Sequence, residues 1–423
     1  MKIKITKSSY PEVLALPKEA PFKPKRANMF FRTLLKLVSF PDLIATRFDY
    51  TTTDMDKLGK DEPCLYLMNH SSFIDLEIAA NILYPRSFNI VATTDSFVGK
   101  SWLMRQIGCI PTKKFVSDFS LLRTMKYTLH ELHSSVVMYP EASYSFDGTA
   151  TALPDSLGGC LKLLGVPVVM IRTYGAYTRD PLYNGLQRRK VKVSANMKYL
   201  LSPEEIKSAS ADELNEILRK EFTIDNFSWQ QENNVRVDES FRADFLNRAL
   251  YKCPHCHTEG MTEGRGTRLV CKSCQKEYEL DEYGRLAATD GESAFTHIPD
   301  WYAWQRKCVR DEILEGKYHF SSPVRICMGV DTKRIYEVGH GVLTHSSEGF
   351  HLTGCDGLLD YLQKPQSSYS VYSDFNWYEI GDVICIGNNN ALYYCFPEAK
   401  GDFVAKVRMA AEEMYKLRKG VKA

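Results

Sequence analysis

The sequence predicts an α/β sheet flanked by helices, then a small cysteine-bearing ribbon, then a β-rich C-terminal domain. Three patterns carry that prediction. Strand-like and helical runs alternate over about residues 60–200, two C-x-x-C knuckles follow, and a series of short strand-like runs precedes one closing helix. A chain of 423 residues is too long for one ordinary core. It divides into a basic segment at 1–50, an α/β domain at 51–250, the ribbon at 251–286 and the β-rich domain at 295–423.

The first segment carries Lys2, Lys4, Lys7, Lys18, Lys23, Lys25, Arg26, Arg32, Lys36 and Arg47 against few acids, although the whole chain is only +2. That small net charge gives no global pull toward nucleic acid. Residues 28–39 place Phe30, Phe31, Leu34, Leu35 and Val38 along one side of a helix, and Pro41 is expected to stop it. Such a basic amphipathic helix can lie in a membrane interface or cover the protein's own core. No run approaches ~18 uninterrupted apolar residues, so a spanning helix is not expected, and the start lacks a signal peptide's apolar core.

In the second segment, strands are predicted at 64–68, 88–92, 135–139, 166–172 and 190–198. Helices at 72–84, 100–107, 118–133 and 156–164 separate them. Alternation of this kind gives helices packed on a largely parallel sheet. Residues 201–250 are charged and read as helical, with Ser202-Pro203-Glu204-Glu205 as a start signal.

The third segment holds Cys253-Pro-His-Cys256 and Cys271-Lys-Ser-Cys274, separated by fourteen residues that include Gly260, Gly264 and Gly266. This approximates zinc-ribbon spacing, and four thiolates would close the coordination sphere, so the zinc is expected to be structural. A redox pair is the alternative for a single knuckle, and His255 or His257 could replace a thiolate. The other eight of the twelve cysteines are scattered, which fits a reducing cytoplasm. Glu259, Glu263, Glu277, Glu279, Asp281 and Glu282 crowd the ribbon with negative charge and argue against nucleic acid as its partner.

The last segment opens with a helix containing Trp301, Trp304 and Ile313. Strands are expected at 323–330, 333–338, 341–345, 349–353, 369–373, 376–380, 383–387 and 391–396. A helix at about 402–418 closes the chain, with Phe403, Val407, Ala410, Met414 and Leu417 on its apolar face. The order of elements is similar to a pleckstrin-homology domain, with no motif to add to it.

The chemistry concentrates at Asn69-His-Ser-Ser-Phe-Ile-Asp75, between the first predicted strand and helix. On a continuous helix His70 and Asp75 would stand about 140° apart, since successive residues turn by ~100°. They can face each other only if His70 lies in the turn before the helix, where it can act as a general base held by Asp75. A histidine that merely caps the turn is the plainer alternative. The same spacing recurs at His351…Asp356, within strand-like sequence and with no helix behind it.

Three further blocks accompany the first: Gly108-Cys-Ile-Pro-Thr-Lys-Lys114, Met138-Tyr-Pro-Glu-Ala-Ser-Tyr-Ser145 and Gly165-Val-Pro-Val-Val-Met-Ile171. Together the four resemble the glycerolipid acyltransferase family, specifically the 1-acylglycerol-3-phosphate acyltransferases, over about residues 60–200. The resemblance implies a glycerolipid-acyltransferase-like sheet with His70 and Asp75 as catalytic residues. It also implies substrate-binding positions at Lys113, Lys114, Glu141, Ala142, Ser143 and Tyr144. Lys114 stands nearest the place of an arginine that meets the acceptor's phosphate, and a solvated basic turn is its alternative. In the third block Ala142 replaces the family's glycine and Tyr144 its arginine, which loosens the link to a phosphate acceptor. The fourth block would help to form an acyl site or be simply a buried strand.

The activity implied is transfer of a fatty acyl group from acyl-CoA or acyl-carrier protein to a lysophospholipid hydroxyl, in phospholipid biosynthesis. The first acceptor would be 1-acylglycerol-3-phosphate, and the enzyme would be cytoplasmic and peripheral on the inner face of a membrane. No G-x-S-x-G elbow is present, which argues for direct transfer. The helix N-terminus behind Ser71 and Ser72 is expected to offer backbone N–H donors to the oxyanion. The alternatives are a non-phosphate lipid acceptor and a catalytically silent scaffold that binds lipid or protein.

Overall fold

A computed structural model describes residues 3–17, 19–399 and 401–420; Lys2 and Lys18 of the basic segment lie outside them. The first sheet has seven strands in the spatial order Asp49–Thr53, Ser194–Leu201, Val168–Tyr174, Leu65–Met68, Ser135–Met138, Phe88–Thr93, Cys109–Thr112. Every neighbouring pair is parallel except Val168–Tyr174 with Ser194–Leu201. The central strands read as unbroken apolar runs because helices cover both faces. Along Leu65–Met68 the side chains divide with the period of two that a strand dictates. Tyr66 and Met68 join Ile74, Ile78 and Val137 in one core, while Leu65 and Leu67 join Met125, Leu129 and Leu161 in the other.

The first long helix, Met29–Ala45, starts where the Asn28 side chain accepts the Phe30 amide at 2.8 Å. It does not stop at Pro41. Proline forfeits one backbone bond inside a helix, but here the last turns are held by buried Ser39 and Leu43 and by an ion pair from Arg179 to Asp42. The face expected to be apolar is shared. Phe30, Leu34 and Val38, with Leu37 and Ile44, face outward, whereas Phe31 and Leu35 are partly covered. Among the described residues no helix is long and apolar enough to cross a membrane.

Three capped helices come after the sheet, Pro203–Ser208, Ala211–Phe222 and Asn226–Glu232, with Ser202, Ser210 and Asp225 at their starts. The helical reading of the remainder to 250 fails. Backbone amides of Ala243 and Phe245 donate to Gly266 and Gly264 of the ribbon, so this stretch takes its bonds from a neighbour. The ribbon itself is a four-stranded antiparallel sheet, Thr262–Arg265, Arg268–Cys271, Glu277–Leu280 and Leu286–Ala288.

Helix Ile298–Leu314 leads into the C-terminal sheet, whose strands are antiparallel in the order Leu359–Gln363, Gly349–Gly354, Ile335–Ser346, Phe320–Gly329, Leu392–Pro397, Gly381–Gly387, Tyr372–Trp377. The runs expected at 333–338 and 341–345 are one strand. It bends where the ladder slips opposite Ile326 and Cys327. The runs at 369–373 and 376–380 give one strand as well, because Asn376, Tyr378 and Glu379 adopt left-handed backbone angles of +57°, +46° and +60° and turn the chain. Leu359–Gln363 is an edge strand that the sequence reading missed. Ile5–Lys7, from the other end of the chain, pairs in parallel with Ile335–Glu337.

The closing helix, Val404–Lys419, packs on this sheet and carries a buried charge knot. Glu412 accepts from Arg306 Nη1 at 2.7 Å, Ser370 Oγ at 2.8 Å and Arg408 Nε at 3.3 Å. Burial pushes its carboxyl up, but the two arginines outweigh that and hold it at about 2. A depressed carboxylate stabilises the fold above its ordinary value and loses that contribution as the pH falls toward about 2. Glu412→Ala leaves the buried Arg408 and the partly exposed Arg306 short of a partner and is expected to cost about 3 kcal/mol, the lower end for a buried pair, read as a lower urea midpoint at pH 7. An unchanged midpoint contradicts it.

The C-terminal domain lies against the loops at the carboxyl ends of the parallel strands. Trp377 Nε1 donates to Asp95 at 3.2 Å, Tyr369 Oη to the Pro140 carbonyl at 3.4 Å, and Arg408 Nη2 to Ser143 Oγ at 2.7 Å. In open parallel sheets that edge is where ligands bind.

Candidate active site

Strand Leu65–Met68 ends at Asn69, whose side chain fixes the turn into the first helix. Its buried amide accepts from the Thr173 backbone N–H at 2.8 Å and donates to the Thr173 carbonyl at 3.2 Å, pinning the turn to the neighbouring strand. His70 therefore sits in the turn and Asp75 in the first turn of helix Ile74–Ile82. The two meet. His70 Nδ1 lies 3.2 Å from Asp75 Oδ2, and among the described residues no partner engages Nε2.

The same carboxylate oxygen accepts the Ser71 amide at 2.7 Å and the Ser72 amide at 3.1 Å. Those two amides are occupied, so of the donors at this turn only those further into the helix N-terminus remain for an oxyanion. The role of the Ser71 and Ser72 amides is to lock Asp75 against the ring. Burial holds the His70 imidazolium below the ordinary value of 6.5. The Asp75 bond opposes that shift and the Lys114 ammonium adds to it. The ring packs between Tyr139 and Tyr144, with centroids 4.3 and 4.4 Å away. A fifth of its side chain stays exposed.

The third block comes from the end of Ser135–Met138, the strand beside Leu65–Met68. Glu141 is fully engaged within the protein. It accepts the His70 backbone N–H at 2.9 Å and the Thr151 N–H at 2.8 Å, which makes it a brace for the histidine turn. Burial pushes its carboxyl up to about 7 against those two amides. Ala142 has φ +56°, a left-handed position that glycine occupies without cost, which accounts physically for the glycine of the family pattern. Ser143 Oγ is taken by Arg408. The Tyr144 hydroxyl has no hydrogen-bond partner among the described residues.

The second block begins at strand Cys109–Thr112 and runs past its end. Lys113 Nζ donates to the Asn389 carbonyl, so that ammonium is spent on the C-terminal domain. Lys114 differs. Its Nζ lies 4.1 Å from the centre of the Tyr372 ring and meets no hydrogen-bond acceptor among the described residues. The structure thus brings His70, Asp75, Glu141, Ala142, Ser143 and Tyr144 together, and it leaves Lys114 and Tyr144 with free polar ends. Sequence reasoning missed Tyr139, which packs on His70, and Arg408, which holds Ser143. Tyr139 could have been found as the aromatic just before the Pro-Glu pair, whereas Arg408 lies more than 200 residues away with no motif. The second His-x4-Asp pair does not form: His351 Nε2 bonds Asp360 across an exposed hairpin at 2.7 Å.

The four ribbon cysteines bring their sulfurs within 4.8 Å of one another. Cys253 and Cys274 are 3.8 Å apart and Cys256 and Cys271 are 3.6 Å apart. Bonds of ~2.3 Å in a tetrahedron require sulfurs about 3.8 Å apart, so the set fits an ion such as zinc. His257 packs its ring against Trp304 instead.

Residues 49–172 match the family model described as acyltransferase. One relative, the chloroplastic 1-acyl-sn-glycerol-3-phosphate acyltransferase BAT2 of Brassica napus, is 27% identical over 136 residues, 30% of this chain and 39% of the relative. Another, the chloroplastic 1-acyl-sn-glycerol-3-phosphate acyltransferase LPAT1 of Arabidopsis thaliana, is 28% identical over 121 residues, 28% of this chain and 33% of the relative. The matches thus span well under half the length of either. The crystal structure of the 1-acyl-sn-glycerophosphate (LPA) acyltransferase PlsC from Thermotoga maritima aligns with a TM-score of 0.36 and 16% identity, covering 45% of this chain and 76% of that one.

Proposed function

We propose that this chain, whose residues 49–172 match the acyltransferase family model, acts as a glycerolipid acyltransferase and moves a fatty acyl group from a thioester donor to the hydroxyl of a lysophospholipid. The observation that carries this reading is His70, held by Asp75 through Nδ1 with Nε2 open, at the carboxyl edge of a parallel sheet. The donor is acyl-CoA or acyl-carrier protein. The acceptor in the relatives' own names, 1-acylglycerol-3-phosphate, is the first to assay. The unpartnered phenol of Tyr144, standing where the family pattern has an arginine, favours a second reading with a non-phosphate lipid acceptor.

In the reaction His70 Nε2 takes the proton of the lipid hydroxyl as its oxygen attacks the thioester carbonyl. The C–O bond forms, the C–S bond then breaks, and the imidazolium returns its proton to the departing thiolate. Asp75 keeps the ring in the tautomer whose Nε2 is basic and stabilises the imidazolium. Glu141 and Asn69 hold the turn, so the base is in place before substrate arrives. In the ribbon Cys253, Cys256, Cys271 and Cys274 would hold a structural zinc ion.

A lipid substrate calls for an enzyme held at a membrane, peripherally on the inner, cytoplasmic face. The outward row of Phe30, Leu34, Leu37, Val38 and Ile44, with Trp102 beside Phe31 at 5.5 Å, gives such a surface an apolar contact.

Purified protein given a labelled acyl donor and 1-acylglycerol-3-phosphate should yield a product heavier by one acyl chain. No acylated product from that acceptor or from a total lysolipid extract, with either donor, overturns the proposal. A base must be neutral to work, and the His70 value lies below 6.5. The acid limb of kcat/KM is therefore expected below pH 6.5, and a limb above that value contradicts the assignment.

A further inference from the structure

Lys114 and Tyr144 are two groups of the catalytic domain whose polar ends stay free beside His70, and the C-terminal domain faces both. Tyr372 lies over the Lys114 ammonium at 4.1 Å and donates its hydroxyl to Asp374 Oδ2 at 3.4 Å. Tyr378 stands four residues further on, in the left-handed turn, packed against Trp377 at 4.8 Å. Its hydroxyl, like that of Tyr144, has no hydrogen-bond partner among the described residues. Lys114, Tyr144, Asp374 and Tyr378 all retain accessible surface, yet burial pushes the lysine down and the other three up, Asp374 to about 7. Lys114, Tyr144 and Tyr378 each feel the charge of Asp374, so the four stand as one group where the two domains meet.

The backbone is left-handed on both domains near this meeting point: at Phe115 (+57°) and Ala142 (+56°), and at Asn376, Tyr378 and Glu379. Such conformations gather at ligand sites because the surrounding structure must hold them.

We infer that the C-terminal domain completes the acceptor site, with Asp374 and Tyr378 set beside Lys114 and Tyr144 to form a crevice that takes a lysophospholipid whose phosphodiester head group carries hydroxyls. The inference rests on acyl transfer at His70 and narrows the acceptor. A phosphate monoester bears roughly −1.5 to −2 charges at pH 7. One lysine set against a carboxyl matches a single negative charge better than two. Arg408 does not add to it, because Ser143, the Tyr144 carbonyl and Glu412 already occupy its guanidinium. Asp374 and the two phenols are instead suited to hydroxyl groups, which accept from phenols and donate to a carboxylate.

The full-length protein is assayed with 1-oleoyl lysophosphatidylglycerol, lysophosphatidylcholine and lysophosphatidic acid, using both donors. The glycerol head group should exceed the other two by about tenfold in kcat/KM, the scale of a hydrogen bond to a charged group. Asp374→Asn and the gentler Tyr378→Phe should each shrink that ratio toward one, with the melting temperature reporting that they fold. Binding of the same three lipids to His70→Ala protein, followed by native mass spectrometry, reads the crevice without turnover. Transfer without a preference that depends on Asp374 overturns the inference and leaves the proposed activity standing. Selective binding with no transfer by the unmodified protein does the reverse. A preference for lysophosphatidic acid in both measurements overturns the inference.

Discussion

Replacing His70 with alanine is expected to lower acyl transfer by about 10²–10⁴-fold, the share that a positioned general base supplies, while leaving the fold intact. Folding should survive because the imidazole makes one side-chain hydrogen bond, to Asp75, and its backbone N–H still reaches Glu141. Asp75→Asn should be nearly as damaging by a different route. The amide would present a donor or an oxygen to Nδ1 without the charge, and the ring would lose the fixed tautomer that leaves Nε2 basic. Initial rates with labelled donor, alongside circular dichroism, measure both. An alanine variant with full activity removes His70 from the chemistry.

Removing the metal from the ribbon is expected to have the second large effect. A structural zinc contributes about 10–16 kcal/mol to the segment it organises, and this segment buries only a few side chains of its own, among them Leu269, Tyr278 and Leu280. The loss should spread. Trp301 packs on Tyr278 at 4.9 Å and donates Nε1 to the Lys252 carbonyl, next to the first ligand, while Gln305 bonds the Lys252 amide. Chelation, or Cys271→Ser, should release about one zinc per chain, speed hydrogen exchange from 251 to 286 and lower the melting temperature. Metal-free protein with unchanged exchange and melting rules the ion out.

Much of the catalytic domain was readable from the amino acids because local chemistry and tertiary outcome agree. The run Leu65-Tyr-Leu-Met68, with Asn-His and a helix behind it, could place His70 and Asp75 together in only one way, and the structure adopts it. The unbroken apolar strands gave the parallel sheet for the same reason. The features that stayed hidden depend on distant partners. Pro41 is a stop signal unless Ser39, Leu43 and Asp42 are held from outside the helix. The amides of Ser71 and Ser72 are free donors until Asp75 turns back on them. Residues 233–250 have helical composition but bond to the ribbon. Asp374 and Tyr378 acquire a role only when the C-terminal sheet is laid on the loops, and periodicity cannot report that.

Ile5–Lys7 pairing with Ile335–Glu337 has a consequence for biogenesis. The strand precedes its ladder partner by more than 300 residues, and so distant a contact closes slowly. Meanwhile the early strand is an unpaired edge, open to a neighbouring nascent chain. Deleting Ile5–Lys7 should therefore reduce the yield of soluble protein by disturbing the C-terminal sheet rather than the domain beside it in sequence.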